Sequence, residues 1–249
     1  MLKFNRSNAK LDGLELRTGR KVYTFSLLSG WSCPFAKDCL SKVYEIDGKL
    51  TLKDGPDTQF RCFSASQEVL FPSVYRQRKA NFDALRVLNS ADDMAALIMA
   101  HLPKGKGYIM RIHVGGDFFN ANYFMAWAKV AKQRPDVLFY AYTKSLGFWV
   151  KNKAEIDAID NFVLTASFGG RMDDYIAEHA LRFAKVVYSK YQARKAKLPI
   201  DHDDSHATVK NGSFALLLHG VQPKGSKASK ALSKLKGVGS YSRKAKVNV

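Results

Sequence analysis

Between residues 107 and 218, short apolar runs alternate with longer amphipathic segments. The short runs are rich in β-branched and aromatic residues, which indicates strands, and the longer segments repeat their apolar residues at helical spacing. The pattern predicts strands at residues 107–114, 137–143, 161–168, 183–188 and 213–218, and a similar apolar run predicts an earlier strand at residues 22–28. It predicts helices at residues 120–133, 148–159 and 173–181, and one that begins at Ser90 with a capping contribution from Asp93.

Strands that alternate with helices are typical of βαβ units, which build parallel sheets. We expect an α/β fold, a partial or small (β/α) barrel with about six mainly parallel strands. Residues 1–220 are predicted to form one barrel-like domain, in which residues 43–60 are an inserted hairpin and loop turning at Asp47-Gly48. Residues 195–212 are polar and predict another loop, and residues 221–249 predict a basic C-terminal helix and tail.

The charge of the chain indicates its partner. It has 40 Lys and Arg against 22 Asp and Glu, a formal net charge of +18. Such a basic protein attracts polyanions by counterion release, so nucleic acid, with DNA preferred, is the expected partner. No apolar stretch approaches the roughly 20 residues of a spanning helix, and the N-terminus lacks a signal-peptide core. We therefore expect no membrane partner and a cytoplasmic location.

All cysteines of the chain, Cys33, Cys39 and Cys62, follow the first predicted strand. An odd number argues against a disulfide framework. Three thiolates can hold a [4Fe–4S] cluster with one iron left open, or supply most of a zinc site completed by His or water. The alternative is three small buried hydrophobic residues. We predict a metal site, to which the inserted hairpin returns Cys62.

A second group of candidates ends the strand at residues 107–114. Chemistry in parallel α/β sheets gathers at the carboxyl ends of the strands. Gly115 and Gly116 would let a ligand approach the backbone, so they and Asp117 are predicted cofactor contacts. Arg111 and His113 alternate onto one face, and His113 and Asp117 are catalytic candidates. The alternative for Asp117 is the N-cap of the following helix.

The next predicted strand places Tyr140, Tyr142 and Lys144 on one side. An aromatic ring beside a lysine suits base stacking and phosphate contact, so Tyr142 and Lys144 are predicted to bind nucleic acid. Lys144 is also a catalytic candidate, and the alternative for the tyrosines is a place in the core.

The end of the chain, residues 221–249, has eight basic residues and no acidic one. It begins with a loop and a helix N-terminus, which can bind phosphate through unpaired N–H groups. The alternative is a solvated basic helix cap. The nucleic-acid contacts predicted there are Lys224, Gly225, Ser226, Lys227, Lys230 and Lys234.

Together these motifs resemble the gene product eighty-eight family of mycobacteriophages. The resemblance is carried by residues 33–39 (CPFAKDC), 62–65 (CFSA), 113–118 (HVGGDF) and 140–145 (YAYTKS). It covers roughly residues 25–170 and implies a phage protein, without implying an activity.

A second resemblance is architectural. Radical S-adenosylmethionine enzymes have a six-unit partial barrel, with three cluster cysteines after the first strand and a Gly-Gly-acidic element after the second. The three cysteines and residues 115–117 are similar, but 5 and 22 residues separate the cysteines, and Asp stands where Glu is commoner. This resemblance implies S-adenosylmethionine as a cofactor.

Three functions follow from these features. The first is an iron–sulfur enzyme that acts on nucleic acid or nucleotides, for example in phage DNA base modification. The second is a DNA base-exchanging deazaguanine transglycosylase with Asp117 or Asp173 as nucleophile. The third is a non-enzymatic nucleic-acid-binding protein with a structural zinc site.

Overall fold

The computed structural model describes residues 1–6 and 10–235, and its main feature is a seven-stranded sheet. In spatial order the strands are β1 (Asn5–Arg6), β2 (Val22–Phe25), β5 (Ile109–Ile112), β6 (Leu138–Thr143), β7 (Phe162–Ser167), β8 (Phe183–Val187) and β9 (Phe214–Leu217). β1 is antiparallel to β2, and every other neighbouring pair is parallel. The predicted α/β fold with six parallel strands is confirmed, as an open sheet that does not close into a complete barrel within the described residues.

Outside this sheet, β3 (Ser41–Ile46) and β4 (Lys49–Asp54) form the predicted hairpin. Its turn residues Asp47 and Gly48 both have positive φ angles, as a two-residue hairpin turn requires. The helices are α1 (Asp12–Thr18), α2 (Phe63–Leu70), α3 (Pro72–Arg86), α4 (Ala91–His101), α5 (Ala121–Gln133), α6 (Leu146–Lys151), α7 (Lys153–Asp157), α8 (Asp174–Glu178), α9 (Lys190–Lys195) and α10 (Lys227–Leu235), with a 3₁₀ turn at His206–Thr208.

Two predicted helices show how side chains set helix boundaries. The Ser90 hydroxyl accepts a hydrogen bond from the Asp93 N–H at 3.0 Å, so the predicted cap of α4 is confirmed. The single helix predicted over residues 148–159 is wrong, because it is divided at Asn152. The Asn152 side chain donates to the Phe148 carbonyl at 2.9 Å, which the backbone of a continuous helix would use.

The central strands β2, β5, β6 and β7 are buried on both faces, which explains why they are apolar runs. Along β6, Phe139 and Ala141 pack into the outer core with Trp127 of α5. Tyr140 faces the inner side, where it shares a second core with Leu14 of α1. Because α1 and the 3₁₀ turn fill the inner face near the amino ends of the strands, the remaining concavity opens at the carboxyl ends.

The polar segment 195–212 is largely a loop, as predicted, apart from Lys195, which ends α9, and the 3₁₀ turn; it is not exposed throughout. It runs beside β9, where the Asp201 N–H donates to the Ala215 carbonyl at 2.9 Å and the Ala215 N–H donates to the Pro199 carbonyl at 2.7 Å. Asp201 and Asp204 are both buried. The run of acidic residues therefore contributes to the interior.

α10 packs Ala228 and Leu235 against Leu217 and Leu218 in a small core beside β8 and β9. The rest of the predicted basic tail, from residue 236 onward, lies outside the described residues. Across the part of the chain that the structure describes, no helix has both the length and the apolar character needed to cross a membrane.

Candidate functional site

A cavity of about 180 Å³ lies at the carboxyl ends of the parallel strands, where this architecture places its chemistry. Of the predicted site residues, those that line it are Cys33, Cys39, Cys62, His113, Gly115, Gly116, Asp117, Tyr142 and Lys144. Lys10, Arg111 and His219 line it as well. Lys224 and the α10 lysines are not part of this lining.

The three cysteines reach the cavity from two segments and form no disulfide bonds: Cys33 and Cys39 lie in the loop between β2 and β3, and Cys62 lies just before α2. Cys33 lies in the turn after β2, and its sulfur accepts a hydrogen bond from the Gly30 N–H at 3.4 Å. Cys62 precedes α2, and its N–H donates to the Ser41 hydroxyl at the base of the hairpin, at 3.2 Å. The inserted hairpin therefore helps to position Cys62, as its place in the sequence suggests.

Burial raises the pKa of all three thiols, and it raises the pKa of Cys62 to about 12. Negative charge on Cys62 raises the pKa of Cys33 further, and negative charge on Cys39 raises the pKa of Cys62 further. The Lys144 ammonium acts in the opposite sense on the pKa of Cys39. Within residues 1–6 and 10–235, no three His, Cys, Asp or Glu side chains are grouped as ligands of a single metal ion.

Asp117 joins the ends of β5 and β6. Its Oδ1 accepts hydrogen bonds from the Phe118 N–H at 2.7 Å and the Thr143 hydroxyl at 2.6 Å, and its Oδ2 accepts from the Lys144 N–H at 2.8 Å. Burial raises its pKa to about 6, and these hydrogen bonds oppose the rise. Asp117 does not cap α5, because Asn120 accepts the Tyr123 N–H at 2.8 Å.

The structure gives Gly115 and Gly116 a packing role. A Cβ on Gly115 would lie 2.0 Å from the Ser64 hydroxyl oxygen. Gly116 has a φ of 93°, and a Cβ there would lie 2.6 Å from the Ser32 hydroxyl oxygen. Ser32 and Ser64 belong to the segments that carry Cys33 and Cys62, so the glycines let the end of β5 approach both cysteine loops.

Arg111 and His113 do not share a strand face as expected, because β5 ends at Ile112 and His113 has a φ of 68°. The Nε2 of His113 lies 2.9 Å from the Tyr123 hydroxyl of α5, and its ring packs against Phe118. Burial, with a smaller contribution from Arg111, lowers the pKa of His113 to about 3. His113 is therefore held against the outer core as a neutral ring.

Asp204 is the buried centre of an ionic cluster that the sequence does not predict, and its partners Lys10, Arg111 and Tyr142 line the cavity. Its carboxylate accepts hydrogen bonds from Arg111 at 2.6 Å, the Tyr140 hydroxyl at 2.9 Å and the Tyr142 hydroxyl at 3.0 Å, and it also pairs with Lys10. Burial opposes ionisation, but the two cations and these hydrogen bonds hold its pKa below the usual value. In the sequence, Asp204 is only one residue of the polar segment 195–212, which predicts a loop.

Tyr142 and Lys144, the predicted nucleic-acid contacts in the cavity, already have protein partners. The Arg111 guanidinium lies 5.3 Å from the centroid of the Tyr142 ring. The Lys144 ammonium donates to the Ser167 hydroxyl at 2.7 Å and to the Phe168 carbonyl at 2.7 Å. The core alternative describes Tyr140 well, since it is fully buried, while Tyr142 lies between the core and the cavity.

The loop after β9 is attached to the segment that carries Cys62. The Gln222 side chain accepts the Arg61 N–H at 2.8 Å and donates to the Arg61 carbonyl at 3.1 Å. The His219 ring packs against Phe63, with 4.5 Å between centroids. Burial, followed by the charges of Lys10 and Arg111, lowers the pKa of His219 to about 3.

The predicted phosphate site at α10 has an internal cap. The Ser226 hydroxyl accepts the Ser229 N–H at 3.0 Å, and so occupies one of the N–H groups expected to meet a phosphate. Gly225 has a φ of 80° in the preceding turn. The exposed lysines of this segment are Lys224, Lys227, Lys230 and Lys234.

Fold and site together define an α/β protein whose open, mainly parallel sheet gathers three thiols at one cavity. The family model for Gene product 88 matches residues 2–235, and the chain belongs to this family. The predicted family is thus confirmed over a wider range than its motifs cover. The resemblance to radical S-adenosylmethionine enzymes stays a prediction.

Two similar proteins are the Gene 88 proteins of Mycobacterium phages L5 and D29. The chain is 29 % identical to the L5 protein over 122 residues, which cover 46 % of this chain and 44 % of that protein. It is 30 % identical to the D29 protein over 122 residues, covering 46 % and 43 %. The matches thus span less than half the length of these relatives. No solved structure matches the chain.

Proposed function

We propose that this protein is an iron–sulfur enzyme that acts on nucleic acid or nucleotides, for example in DNA base modification. The observation that carries the proposal is the convergence of Cys33, Cys39 and Cys62 on one cavity at the carboxyl ends of six parallel strands. Buried thiols with raised pKa values bind protons in the absence of a cation, and a bound metal centre would favour their thiolate forms.

The donor set fits a [4Fe–4S] cluster. Each thiolate of such a cluster binds a different iron, so the sulfurs need not converge on one ion as the ligands of zinc do. Three cysteines leave one iron open to a further ligand, and the Gly30 N–H is placed to tune the Cys33 sulfur. When bound, a cluster of this kind supplies single electrons.

The chain's own groups would prepare the cavity for a charged ligand. The Lys144 ammonium is fixed near Cys39, and Asp204 pairs with Arg111 and Lys10, which line the cavity. Burial excludes water from these charges, which strengthens their action on anything bound between them. S-adenosylmethionine, implied by the architectural resemblance, is the second cofactor that we propose, beside Gly115 and Gly116.

The net charge of +18 supports nucleic acid as the substrate. The transglycosylase alternative is weaker, because its nucleophile needs an available carboxylate. Both Asp117 oxygens accept hydrogen bonds, and the Asp173 oxygens accept the Gly169 and Gly170 N–H groups at 2.8 and 2.9 Å. The structural-zinc alternative has no zinc-specific observation in its favour.

The test is purification without oxygen, followed by iron, sulfide and zinc analysis and electron paramagnetic resonance of the reduced protein. We expect about four irons and four sulfides per chain. Changing Cys33, Cys39 or Cys62 to Ala should each remove most of the iron and lower the melting temperature, because ligand bonds also hold the loops. Production of 5′-deoxyadenosine and methionine from S-adenosylmethionine, with an added one-electron reductant, tests the second cofactor.

Ser189→Ala is the matched control, because Ser189 caps α9, and it should keep its iron. Stoichiometric zinc without iron would favour the structural-zinc alternative. Metal content unchanged from the wild type in all three cysteine variants would contradict any metal site formed by these thiols.

A further inference from the structure

The outer face of the β3–β4 hairpin combines lysines and aromatic rings that lie outside the cysteine cavity. Side chains alternate along strands, so the register sorts the hairpin into two faces. Val43 and Leu52 pair on the inner face, where Val43 is buried in a small core that Leu50 also contacts. The carboxylates Glu45 and Asp54 also lie on the inner face.

The opposite side, here called the hairpin face, is formed by Lys42, Tyr44, Ile46, Lys49, Thr51 and Lys53 together with Trp31, which packs on it. It has three lysines and no carboxylate. The Trp31 indole donates to the Val43 carbonyl at 2.9 Å, and its ring meets Tyr44 edge-on with 5.1 Å between centroids. Trp31 is nevertheless 41 % exposed.

A lysine accompanies each ring of the hairpin face. The Lys42 ammonium lies 4.6 Å from the centroid of Trp31, and the Lys53 ammonium lies 5.2 Å from that of Tyr44. An exposed cation–π contact is weaker than stacking of a nucleobase on an aromatic ring. A base can therefore displace the lysine from the ring, and the flexible ammonium can move to the adjacent phosphate.

The hairpin face lies beside the cysteines. Trp31 is two residues before Cys33, and the Ser41 hydroxyl at the hairpin base accepts the Cys62 N–H. A Cβ on Gly30 would lie 2.3 Å from the Ser41 carbonyl oxygen, so hairpin and cysteine turn are tightly packed. A strand bound on this face would run next to the cavity.

We infer that the hairpin face binds a single-stranded polynucleotide, stacking its bases on Trp31 and Tyr44 and pairing its phosphates with Lys42 and Lys53. Exposed aromatic rings with interspersed cations bind single strands with little sequence preference, because every base has a face that can stack. A duplex hides those faces. The inference rests on the proposed function, and it specifies the substrate as unpaired nucleic acid.

Tryptophan fluorescence offers a direct probe, because Trp31 is exposed while Trp127 and Trp149 are buried. The full chain is titrated with labelled oligothymidylate, oligoadenylate and a duplex of equal length, at several salt concentrations. We expect both single strands to quench Trp31 and to bind more tightly than the duplex. Trp31→Ala and Tyr44→Ala should each weaken binding by roughly tenfold, and Trp31→Phe should retain affinity but lose the quenching.

Lys42→Gln with Lys53→Gln should flatten the dependence of log affinity on log salt by about 1.4 on a single strand. The control is Lys104→Gln with Lys106→Gln, which removes equal charge from exposed lysines before β5, at the amino ends of the strands. Melting temperatures identify any variant that fails to fold. If the alanine variants fail, Trp31→Phe and the double lysine variant still test the inference.

Unchanged affinity and salt slope in the hairpin variants, with the wild type binding normally, would overturn this inference and leave the proposed function intact. Preference for the duplex would overturn it as well. If the wild type bound none of the oligonucleotides at low salt, the nucleic-acid part of the proposed function would fail too, independently of the iron measurement.

Discussion

Asp117 connects two strand ends through a buried carboxylate that is 5 % exposed. Three hydrogen bonds fix both of its oxygens, and two of the donors are backbone N–H groups, from Phe118 and Lys144. A carboxylate can accept all three bonds, whereas an amide must turn one NH₂ group toward a donor. The residue therefore supports the cavity wall as well as lining it.

Asp117→Asn should lower the free energy of unfolding at pH 7.5 by about 1–3 kcal/mol, since one buried hydrogen bond is removed. The folded-state pKa is raised to about 6, so the folded protein keeps a proton that the unfolded chain loses above about pH 4. This stabilising contribution is present at low pH and disappears as the pH rises through 6. The difference in the free energy of unfolding between the wild type and the variant should thus be larger at pH 5 than at pH 7.5, by roughly 1.4 kcal/mol.

Chemical denaturation at both pH values measures the effect. Asp92→Asn is the control, because Asp92 is exposed and its ion pair with Lys129 lies at the surface, where such pairs contribute about 0–1 kcal/mol. Equal stability of Asp117→Asn and wild type at both pH values would show that the carboxylate serves a ligand alone.

Single residues differ in how far the sequence could predict their place. The cysteines were predictable as a group because they share one short region and one residue type. Asp204 was not, because its partners Arg111, Tyr140 and Tyr142 lie 93, 64 and 62 residues away along the chain. Only folding of the loop across the inner face brings them together, and an acidic run predicts solvent by default.

At the scale of elements, the loop after β9 and the segment before α2 form one unit around Cys62. Gln222 satisfies both backbone groups of Arg61, and Arg61 in turn forms an ion pair with Asp54 of β4 at 2.6 Å. A single glutamine thus couples the last strand of the sheet to the hairpin. Both the hairpin and the loop after β9 therefore help to orient Cys62.

Gln222→Ala should lower the free energy of unfolding by about 1–2 kcal/mol, because the Arg61 N–H and carbonyl lose their partners. It should also speed the reaction of Cys62 with a thiol reagent in metal-free protein. The reaction is measured with Gln222 and with Gln222→Ala, each in a protein that also carries Cys33→Ala and Cys39→Ala, so that it reports on Cys62 alone.

Gln192→Ala is the matched comparison, since Gln192 likewise accepts a backbone N–H, from Tyr188, but at an exposed position. It should leave the reactivity of Cys62 unchanged. Reactivity of Gln222→Ala equal to that of this control would mean that the loop does not hold Cys62 in place.

The sequence predicts a helix or strand well only where its pattern of apolar and polar residues is clear. The six parallel strands are largely apolar runs, and their order in the sheet follows the chain order. The sequence pattern did not predict α1, α2, α3 or α9. α3 is strongly polar despite a buried stripe that includes Tyr75, Arg78 and Leu85, so its periodicity is hidden by charged residues.

At the scale of the whole molecule, the proposed binding of nucleic acid would involve two separate surfaces. The hairpin face offers stacking beside the cysteines, whereas the lysines of residues 224–234 offer charge without aromatic rings. α10 buries Ala228 and Leu235 and leaves its lysines exposed, as an amphipathic helix at the protein surface does. Phosphate contacts position a protein on nucleic acid but carry little sequence information.

Replacing Lys224, Lys227, Lys230 and Lys234 with Gln should therefore weaken binding to all sequences alike. Removing one lysine–phosphate ion pair flattens the dependence of log affinity on log salt by about 0.9 on duplex DNA, so the slope should fall by up to roughly 3–4 units. Iron content should not change, because these lysines do not line the cysteine cavity. Binding of random-sequence duplexes over a salt series measures both quantities. The same affinity and slope as wild type would leave these lysines as a solvated surface, with net charge and the hairpin face as the remaining support for nucleic acid.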